Sequence, residues 1–425
     1  MKRQLITLVP MLLAVVLTAG AEAPSYRFDM TGARKVKAGY TALTPDMAYD
    51  AGRGYGYDFK MAPGNGNEPF FLSVDVPDGN YKVTVTLGSA KAPGETTVRS
   101  ESRRMHVNNL ATKKGELVTE TFVVNKHNDK IDGKKKVKLH ERERQGLNWD
   151  DKLTLEFNGD APRVSYVEIE PVDVPTLFMC GDSTTVDNVS EPFTGWAQML
   201  PLFLDENVAV ANYAESGLSA GTFLADKRLD KIETQMKEGD YLFIQFGHND
   251  QKDKNPGYGA YYSFTTNLKK MVDRARKKGV IPVLVTPTVR RRFEKGAVRN
   301  THGDYPDAVR VLAQREGIHL IDFWTLTKTM VEAAGPEASK SMFVHYPMDS
   351  FKGQEKALSD DTHFSVFGAW EISKIFANEL QKTNHPLSQY VKKSFKGFDP
   401  AAPDQRADFK YVMSPFVMTK KPAGN

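Results

Sequence analysis

The stretch TLFMCGDSTT, residues 176–185, decides the fold, because an uninterrupted apolar run ends there in a glycine and a polar turn. Apolar runs of the same kind recur at residues 208–213, 241–246, 281–286 and 318–323. In residues 264–275, between two of these runs, the apolar side chains follow helical spacing. Continuous apolar strands that alternate with helices are typical of parallel sheets covered on both faces. The sequence therefore predicts an α/β domain with a doubly wound, parallel, five-stranded sheet of flavodoxin-like type.

The first part of the chain has a different pattern. Residues 71–76, 81–87, 117–125, 153–157 and 164–169 alternate between apolar and polar side chains, and turn signals such as PDGN at 77–80 separate them. Period-two runs at short spacing favour an antiparallel β-sandwich. We therefore predict an all-β sandwich domain over residues 24–172 and the α/β domain over residues 173–385. Residues 386–425, rich in Pro and Lys, are assigned to a C-terminal tail.

The N-terminus is typical of a processing signal. Lys2 and Arg3 precede an apolar run at residues 5–19, and Ala-Glu-Ala at 21–23 fits a small-x-small cleavage site. We predict a signal peptide over residues 1–23, with an uncleaved anchor as the alternative, and hence a secreted or periplasmic bacterial protein. No later segment has the length of an apolar membrane span, so none is predicted.

The composition argues against several other classes of protein. With 57 basic and 53 acidic residues, the formal charge of +4 gives no argument for nucleic-acid binding. The single cysteine, Cys180, excludes an internal disulfide, and its place at the end of an apolar strand favours an inert buried thiol. The histidines and carboxylates show no metal-ligand spacing, so we predict no catalytic metal and no other cofactor. The sequence neither predicts nor excludes a calcium site in the β-sandwich.

Polar groups follow the predicted strands at the edge where sites form in such sheets. Ser183 follows the first strand, Gly217 the second and Asn249 the third, and a DDTH segment at 360–363 precedes the last helix. A serine hydroxyl is a weak nucleophile and needs a base, which His363 supplies, while Asp360 orients the imidazole. The backbone N–H groups of Ser183 and Gly217 and the Asn249 amide are candidate donors to an oxyanion. These parts suffice for acyl transfer.

Several of these assignments have alternatives. Asp361 is the other candidate to orient His363, and His248 is a second candidate catalyst, although it is more often a supporting residue. Each of Ser183, Gly217 and Asn249 is, taken alone, explained by a turn. Tyr55 and Tyr57 interleave with glycines, which indicates an aromatic loop. The first domain is either an accessory packing domain or, through loop aromatics of this kind, a glycan-binding domain.

Taken together, these motifs resemble the SGNH (GDSL-type) hydrolases over residues 177–381. The four hallmark residues of that family match Ser183, Gly217, Asn249 and His363, with Asp360 as the triad acid. The segments GDSTTV, YAESGLS, FGHNDQK and DDTHFS are more narrowly similar to rhamnogalacturonan acetylesterases. The first half resembles the galactose-binding-like β-sandwich that precedes the esterase domain in several bacterial relatives.

The resemblance implies a serine esterase that removes acetyl groups from a pectic polysaccharide or oligosaccharide through an acyl-enzyme. Another SGNH esterase, acting on a different acetylated glycan or a lipid ester, is the first alternative. A non-catalytic glycan-binding protein is the second. Because rhamnogalacturonan carries carboxylates, Arg290, Arg291 and Arg292 beyond the fourth strand are candidate substrate-binding residues, with a solvated surface run as the alternative.

Overall fold

The computed structural model describes residues 23–64 and 66–418 of the chain. The predicted signal peptide therefore lies, apart from Ala23, outside the described residues. In the described part, the region before residue 172 is built from strands: β1 Tyr26–Asp29, β2 Thr41–Ala42, β3 Tyr55–Tyr57, β4 Phe70–Asp75, β5 Gly79–Gly88, β6 Gly94–Ser100, β7 Arg104–Thr112, β8 Leu117–Lys126, β9 Lys152–Ala161 and β10 Val164–Pro171.

These strands form two five-stranded sheets, in the orders β2-β1-β10-β5-β8 and β3-β4-β9-β6-β7. The inward side chains of both sheets share one apolar core, which contains Val83 and Val85 of the first sheet and Leu153 and Leu155 of the second. Alternate residues of β5 are buried, as expected for a strand with one covered face. Tyr57 lies in this core rather than in an aromatic loop, because the YGY segment is strand β3.

The second region alternates strands and helices. Its strands are β11 Thr176–Gly181, β12 Ala209–Asn212, β13 Tyr241–Gln245, β14 Ile281–Val285, β15 Phe293–Glu294, β16 Ala297–Val298, β17 His319–Ile321, β18 Phe343–Tyr346 and β19 Leu358–Phe364. Its helices are α1 Ala220–Ala225, α2 Arg228–Glu233, α3 Thr265–Lys277, α4 Tyr305–Glu316, α5 Phe323–Ala338 and α6 Val366–Lys382.

The parallel sheet has the order β12-β11-β13-β14-β17, and every neighbouring pair is parallel. This confirms the predicted parallel five-stranded sheet. Alternate residues face opposite layers: Met179 packs with the residues of α5 and α6, whereas Phe178 and Cys180 pack with those of α1 to α4. Burial raises the pKa of the Cys180 thiol well above its ordinary value, in agreement with an inert thiol.

The turn between β6 and β7 joins the two regions. Glu101 and Arg103 in this turn have φ of 49° and 65°, a left-handed conformation that is uncommon for non-glycine residues. The guanidinium of Arg103 donates to the carbonyls of Asn188 (3.2 Å) and Phe193 (2.9 Å) in the second region. The segment that follows β11 is therefore held by side chains of the first region.

The described part of the C-terminal tail packs onto both regions. Leu387 and Phe409 belong to the core beside α6. Farther on, the Asn158 amide donates to the Met413 carbonyl (2.9 Å), and Met418 N–H donates to the Glu191 carbonyl (2.7 Å). The tail up to residue 418 is thus an integral part of the molecule.

No helix in the described ranges is long and apolar enough to cross a membrane. Within residues 23–64 and 66–418, no group of three or more His, Cys, Asp or Glu side chains is arranged to hold a metal ion.

Candidate active site

Ser183 lies in a tight turn that begins directly after β11. The Asp182 carbonyl accepts hydrogen bonds from the N–H groups of Thr185 and Val186, both at 3.0 Å, which closes the turn around the serine. At the end of the neighbouring strand β13, the Gln245 amide donates to the Thr184 hydroxyl (3.1 Å). The serine is therefore fixed at the carboxyl edge of the parallel sheet, at the switch point between β11 and β13.

Asp360 and His363 lie together on β19. His363 Nδ1 is 2.8 Å from Asp360 Oδ2, and Asp360 Oδ1 accepts from the N–H groups of Thr362 (2.8 Å) and His363 (3.0 Å). Burial by itself would raise the pKa of Asp360, but these hydrogen bonds and the electrostatic interaction with the His363 ring hold the pKa far below its usual range. An ionised Asp360 favours the tautomer with its proton on Nδ1, so that Nε2 is the basic nitrogen.

The neighbouring carboxylate, Asp361, has other partners. Its Oδ1 lies 2.8 Å from His345 Nε2 and accepts from Arg291 Nε at 3.0 Å, and its Oδ2 is 3.1 Å from Arg292 Nη1. Of the two candidate acids, Asp360 therefore contacts His363 Nδ1, whereas Asp361 contacts Arg291 and Arg292.

The segment from Phe193 to Trp196 joins the serine turn to the histidine strand. Trp196 N–H donates to the Thr184 carbonyl (2.9 Å), and Thr194 N–H donates to the Phe364 carbonyl (3.0 Å). The Phe193 ring lies edge-on to the His363 ring, with centroids 5.8 Å apart. Ser183 and His363 are thus on adjoining segments of the same edge.

Gly217 and Asn249 belong to two loops that touch each other. Leu218 N–H donates to the Glu215 carbonyl (3.3 Å), which closes a β-turn with Gly217 at its third position, and the Asn249 side-chain amide donates to the Leu218 carbonyl (3.0 Å). The glycine has φ of 86°, as a type II turn requires at that position.

Asp250 fastens the same two loops. Its carboxylate accepts from the N–H groups of Ala220 (2.9 Å) and Gly247 (3.1 Å), and burial raises its pKa to about 7.

His248 is buried behind the nucleophile turn. Its Nδ1 lies 3.5 Å from Asp182 Oδ2, and its ring packs edge-on against His302. Burial lowers the pKa of His248, so the ring is neutral near pH 7. The structure therefore places this histidine as a support of the turn that carries Ser183.

The three candidate arginines are in different surroundings. Arg290 is half-buried and donates to the His248 carbonyl (3.1 Å) and the Thr301 hydroxyl (3.2 Å), whereas Arg291 and Arg292 are paired with Asp361. The side chain of Arg292 is still 64% exposed. Together with Arg299, it lines a shallow cavity of about 420 Å³ on the hairpin β15–β16.

Two arginines beside the site were missed by the sequence reasoning. Arg299 comes next to Arg292 because residues 293–298 form a hairpin, and its Lys-Gly turn at 295–296 was the available signal. The other is Arg142, in the 3₁₀ turn Glu141–Gln145 of the first region. Its Nε donates to Glu215 Oε1 at 2.6 Å, and no motif near residue 142 indicated this contact.

A cavity of about 530 Å³ opens at the junction of the two regions. Its lining includes Ser102, Arg142 and Trp149 from the first region and Val186 and Ser216 from the second. Val186 closes the Ser183 turn and Ser216 precedes Gly217, so this cavity adjoins the candidate site.

Comparison with known proteins agrees with this arrangement. The model of the GDSL-like lipase/acylhydrolase family matches residues 179–369. Rhamnogalacturonan acetylesterase RhgT of Bacillus subtilis (strain 168) is 39% identical over 218 residues, which are 51% of this chain and 93% of the relative. The probable rhamnogalacturonan acetylesterase YesY of the same strain is 32% identical over 222 residues, covering 51% of this chain and 97% of the relative.

A longer match includes the first region. The uncharacterized esterase YxiM of Bacillus subtilis (strain 168) is 26% identical over an alignment of 388 positions that covers 85% of this chain and 92% of the relative. The crystal structure of YxiM has a TM-score of 0.47 at 26% identity and covers 85% of this chain and 99% of that one.

The segment that the family model matches contains Ser183, Gly217, Asn249, Asp360 and His363. The relatives RhgT and YesY are matched over nearly their whole length. The chain therefore belongs to the GDSL-like lipase/acylhydrolase family, the SGNH hydrolases, and is a carboxylic ester hydrolase that resembles rhamnogalacturonan acetylesterases.

Proposed function

We propose that this protein is an acetylesterase that removes O-acetyl groups from pectic rhamnogalacturonan through an acyl-enzyme. The observation that carries the mechanism is the 2.8 Å contact between His363 Nδ1 and the buried carboxylate of Asp360, on the segment adjoining the Ser183 turn. The relatives that are named rhamnogalacturonan acetylesterases support the choice of substrate.

In the first half of the proposed reaction, Ser183 Oγ attacks the acetyl carbonyl carbon while His363 Nε2 takes the hydroxyl proton. The negative charge moves to the carbonyl oxygen, which the Ser183 and Gly217 N–H groups and the Asn249 amide stabilise. One such donor is typically worth roughly 3 kcal/mol in the transition state. The C–O bond to the sugar then breaks, and His363 returns the proton to the sugar oxygen.

In the second half, His363 takes a proton from water, whose oxygen attacks the acetyl carbon of acetyl-Ser183. The ester bond to Ser183 breaks, the serine oxygen recovers a proton from His363, and acetate leaves. The ionised Asp360 stabilises the imidazolium in both halves, as expected for a carboxylate with a strongly lowered pKa.

For the polymer itself, we propose that Arg292 and Arg299 bind a galacturonate beside the acetylated sugar. Both side chains are exposed and line the same shallow cavity, and a guanidinium matches a carboxylate in shape and charge. Arg290 and Arg291 are only partly exposed and have protein partners, whereas the Arg292 side chain stays 64% exposed beside Asp361. We therefore assign Arg290 and Arg291 to supporting the loop that follows β14.

We propose further that the first region is a β-sandwich, since its two sheets share one core, and that the protein is secreted. The basic start and apolar run at residues 2–19 support secretion. N-terminal sequencing of protein recovered outside the cytoplasm tests this, and a mature chain that still starts at Met1 would contradict it.

Acetate release from a panel of polymers tests the substrate. We expect faster release from acetylated rhamnogalacturonan than from acetylated xylan or mannan, with a chromogenic acetyl ester as the measure of intrinsic activity. Equal rates on all three polymers would contradict the pectic assignment. A lack of turnover on every ester would instead contradict the acetylesterase assignment.

A further inference from the structure

Arg142 crosses from the first region to the loop that carries Gly217. Its Nε donates to Glu215 Oε1 at 2.6 Å, and its Nη2 donates to the carbonyl oxygen of Ser216. The two acceptors are consecutive residues, so the planar fork of the guanidinium engages the chain immediately before the glycine.

The Ser216 carbonyl and the Gly217 N–H belong to one peptide unit. This unit is planar and trans, so its C=O and N–H bonds point in opposite directions, and a contact that fixes the oxygen also fixes the N–H. A cation that donates to the carbonyl also polarises the unit and makes its N–H a better donor.

The same peptide unit is the one that a β-turn can reverse. Type I and type II turns differ by a rotation of the central peptide, which here is the unit between Ser216 and Gly217. A glycine at the third position accepts both the positive φ of type II and the negative φ of type I, so the sequence by itself does not choose. The observed φ of 86° is that of type II, the form in which Arg142 reaches the Ser216 oxygen.

We propose that Arg142 is a positioning residue that holds the Ser216–Gly217 peptide in the orientation in which its N–H donates to the oxyanion. The assignment rests on the proposed function, in which Gly217 supplies such a donor. It also gives the first region a role in turnover, because that region supplies the residue that sets the geometry of a catalytic N–H.

The 3₁₀ turn that presents Arg142 is itself well anchored. The next residue, Glu143, receives two hydrogen bonds from Arg228 Nη2 at 2.7 Å and 2.6 Å, across the junction of the regions. Beyond the turn, Leu147 N–H donates to the Ser102 hydroxyl at 3.1 Å. The backbone that carries Arg142 is therefore fixed independently of the Gly217 loop, so contact with that loop has to order only the Arg142 side chain.

The test is a kinetic comparison of Arg142→Met, which keeps the bulk and removes the donors, with Arg144→Met as the matched control. Arg144 lies in the same turn with its side chain 55% exposed. We expect Arg142→Met to lower kcat on a chromogenic acetyl ester by about 10- to 100-fold, less than complete loss of a donor, with KM changed less than about twofold. Arg144→Met should keep the wild-type kcat.

Two further variants separate the carbonyl contact from other effects. Arg142→Met leaves Glu215 without its nearest partner, and the double variant Arg142→Met/Glu215→Gln removes that charge, so the loss of kcat should persist in it. Arg142→Lys should recover part of kcat, because an ammonium reaches one of the two acceptors. Recovery of full activity in the double variant would overturn the assignment.

Inhibition constants separate a loss of transition-state binding from general damage to the active site, because general damage would weaken phenylboronic acid and acetate alike. Its tetrahedral adduct with a catalytic serine resembles the transition state, whereas acetate, the product, does not. In Arg142→Met, we expect the inhibition constant of phenylboronic acid to rise by about the factor by which kcat/KM falls, and that of acetate to stay constant. An unchanged kcat, or a loss confined to KM, would overturn the proposal. Each result is measured relative to wild-type turnover of the same ester. Failure of the Arg142 proposal therefore leaves the wild-type esterase activity in place and is distinguishable from failure of the proposed function.

Discussion

The carboxyl edge of the parallel sheet and the junction between the two regions are built in different ways. At the edge, Ser183, Gly217 and Asn249 come from short segments that follow strands of the parallel sheet, and Asp360 and His363 lie three residues apart on β19. At the junction, Arg104 contacts Asp187 across 83 residues, and Arg142 contacts Glu215 across 73 residues. Each group at the edge is therefore placed by contacts within its own short segment, while the contacts at the junction join segments that are far apart in the sequence.

Removal of the nucleophile should have the largest effect. We expect Ser183→Ala to lower kcat on a chromogenic acetyl ester by about 10⁴-fold or more, since a methyl group forms no acyl-enzyme. The variant should keep the thermal unfolding temperature of the wild type, because the turn is closed by backbone contacts of Asp182 rather than by the serine hydroxyl. Turnover near that of the wild type in a folded variant would contradict the assignment of the edge as the active site.

The two adjacent carboxylates provide a sharper test at the same edge. Asp360→Asn should lower kcat by about 10⁴-fold, because an amide at this position favours the wrong tautomer of His363. Asp361→Asn should lower kcat by less than about tenfold, since the Asp361 carboxylate contacts His345 and Arg291 rather than His363. Steady-state kinetics of both variants decide which carboxylate is the triad acid. A larger loss of kcat in Asp361→Asn would assign that role to Asp361.

These carboxylates also show which features of the site can be predicted from the sequence and which cannot. Apolar runs predict the parallel sheet, and strand ends predict that Ser183, Gly217 and Asn249 share one edge, because both properties follow from local patterns. The choice between Asp360 and Asp361 depends on which carboxylate the backbone of β19 turns toward the imidazole, so it needed coordinates. Arg142 lay beyond prediction, because nothing within its own segment encodes the turn that it contacts.

At the junction, the expected effect is on stability. The buried Arg104 donates to Asp187 Oδ2 (2.8 Å) and to the carbonyls of Asn125 (2.9 Å) and Val210 (3.1 Å). Arg104→Met leaves Asp187 buried with its charge uncompensated, and loss of one partner of such a pair typically costs about 3–5 kcal/mol. Urea unfolding should show this loss in a single transition that involves both regions.

The control for Arg104 is Arg27→Met, at a side chain that is 54% exposed and 3.7 Å from Glu168. Exposed pairs contribute about 0–1 kcal/mol, so this variant should unfold close to the wild type. Two separate transitions, with the later one unchanged in Arg104→Met, would show that the regions fold independently and that the junction is not a shared structural unit.

The smallest effect is expected at the rim, where recognition of the polymer is proposed. Replacing Arg290 and Arg291 would remove the contacts to the His248 carbonyl and to Asp361 Oδ1 as well as any substrate contact, so the sharper variant is Arg292→Gln/Arg299→Gln, which keeps both of those contacts. We expect KM for acetylated rhamnogalacturonan to rise about three- to tenfold, as the loss of two exposed ion pairs implies, with an unchanged rate on a small neutral ester. Added salt should raise the polymer KM of the wild type more than that of the variant, since exposed charges are screened over about 10 Å at 0.1 M. Equal losses on both substrates would indicate a disturbed edge, and no loss on either would assign these arginines to the solvated surface. Recognition of the uronate would then rest on other groups, while the edge that carries Ser183 would remain as assigned.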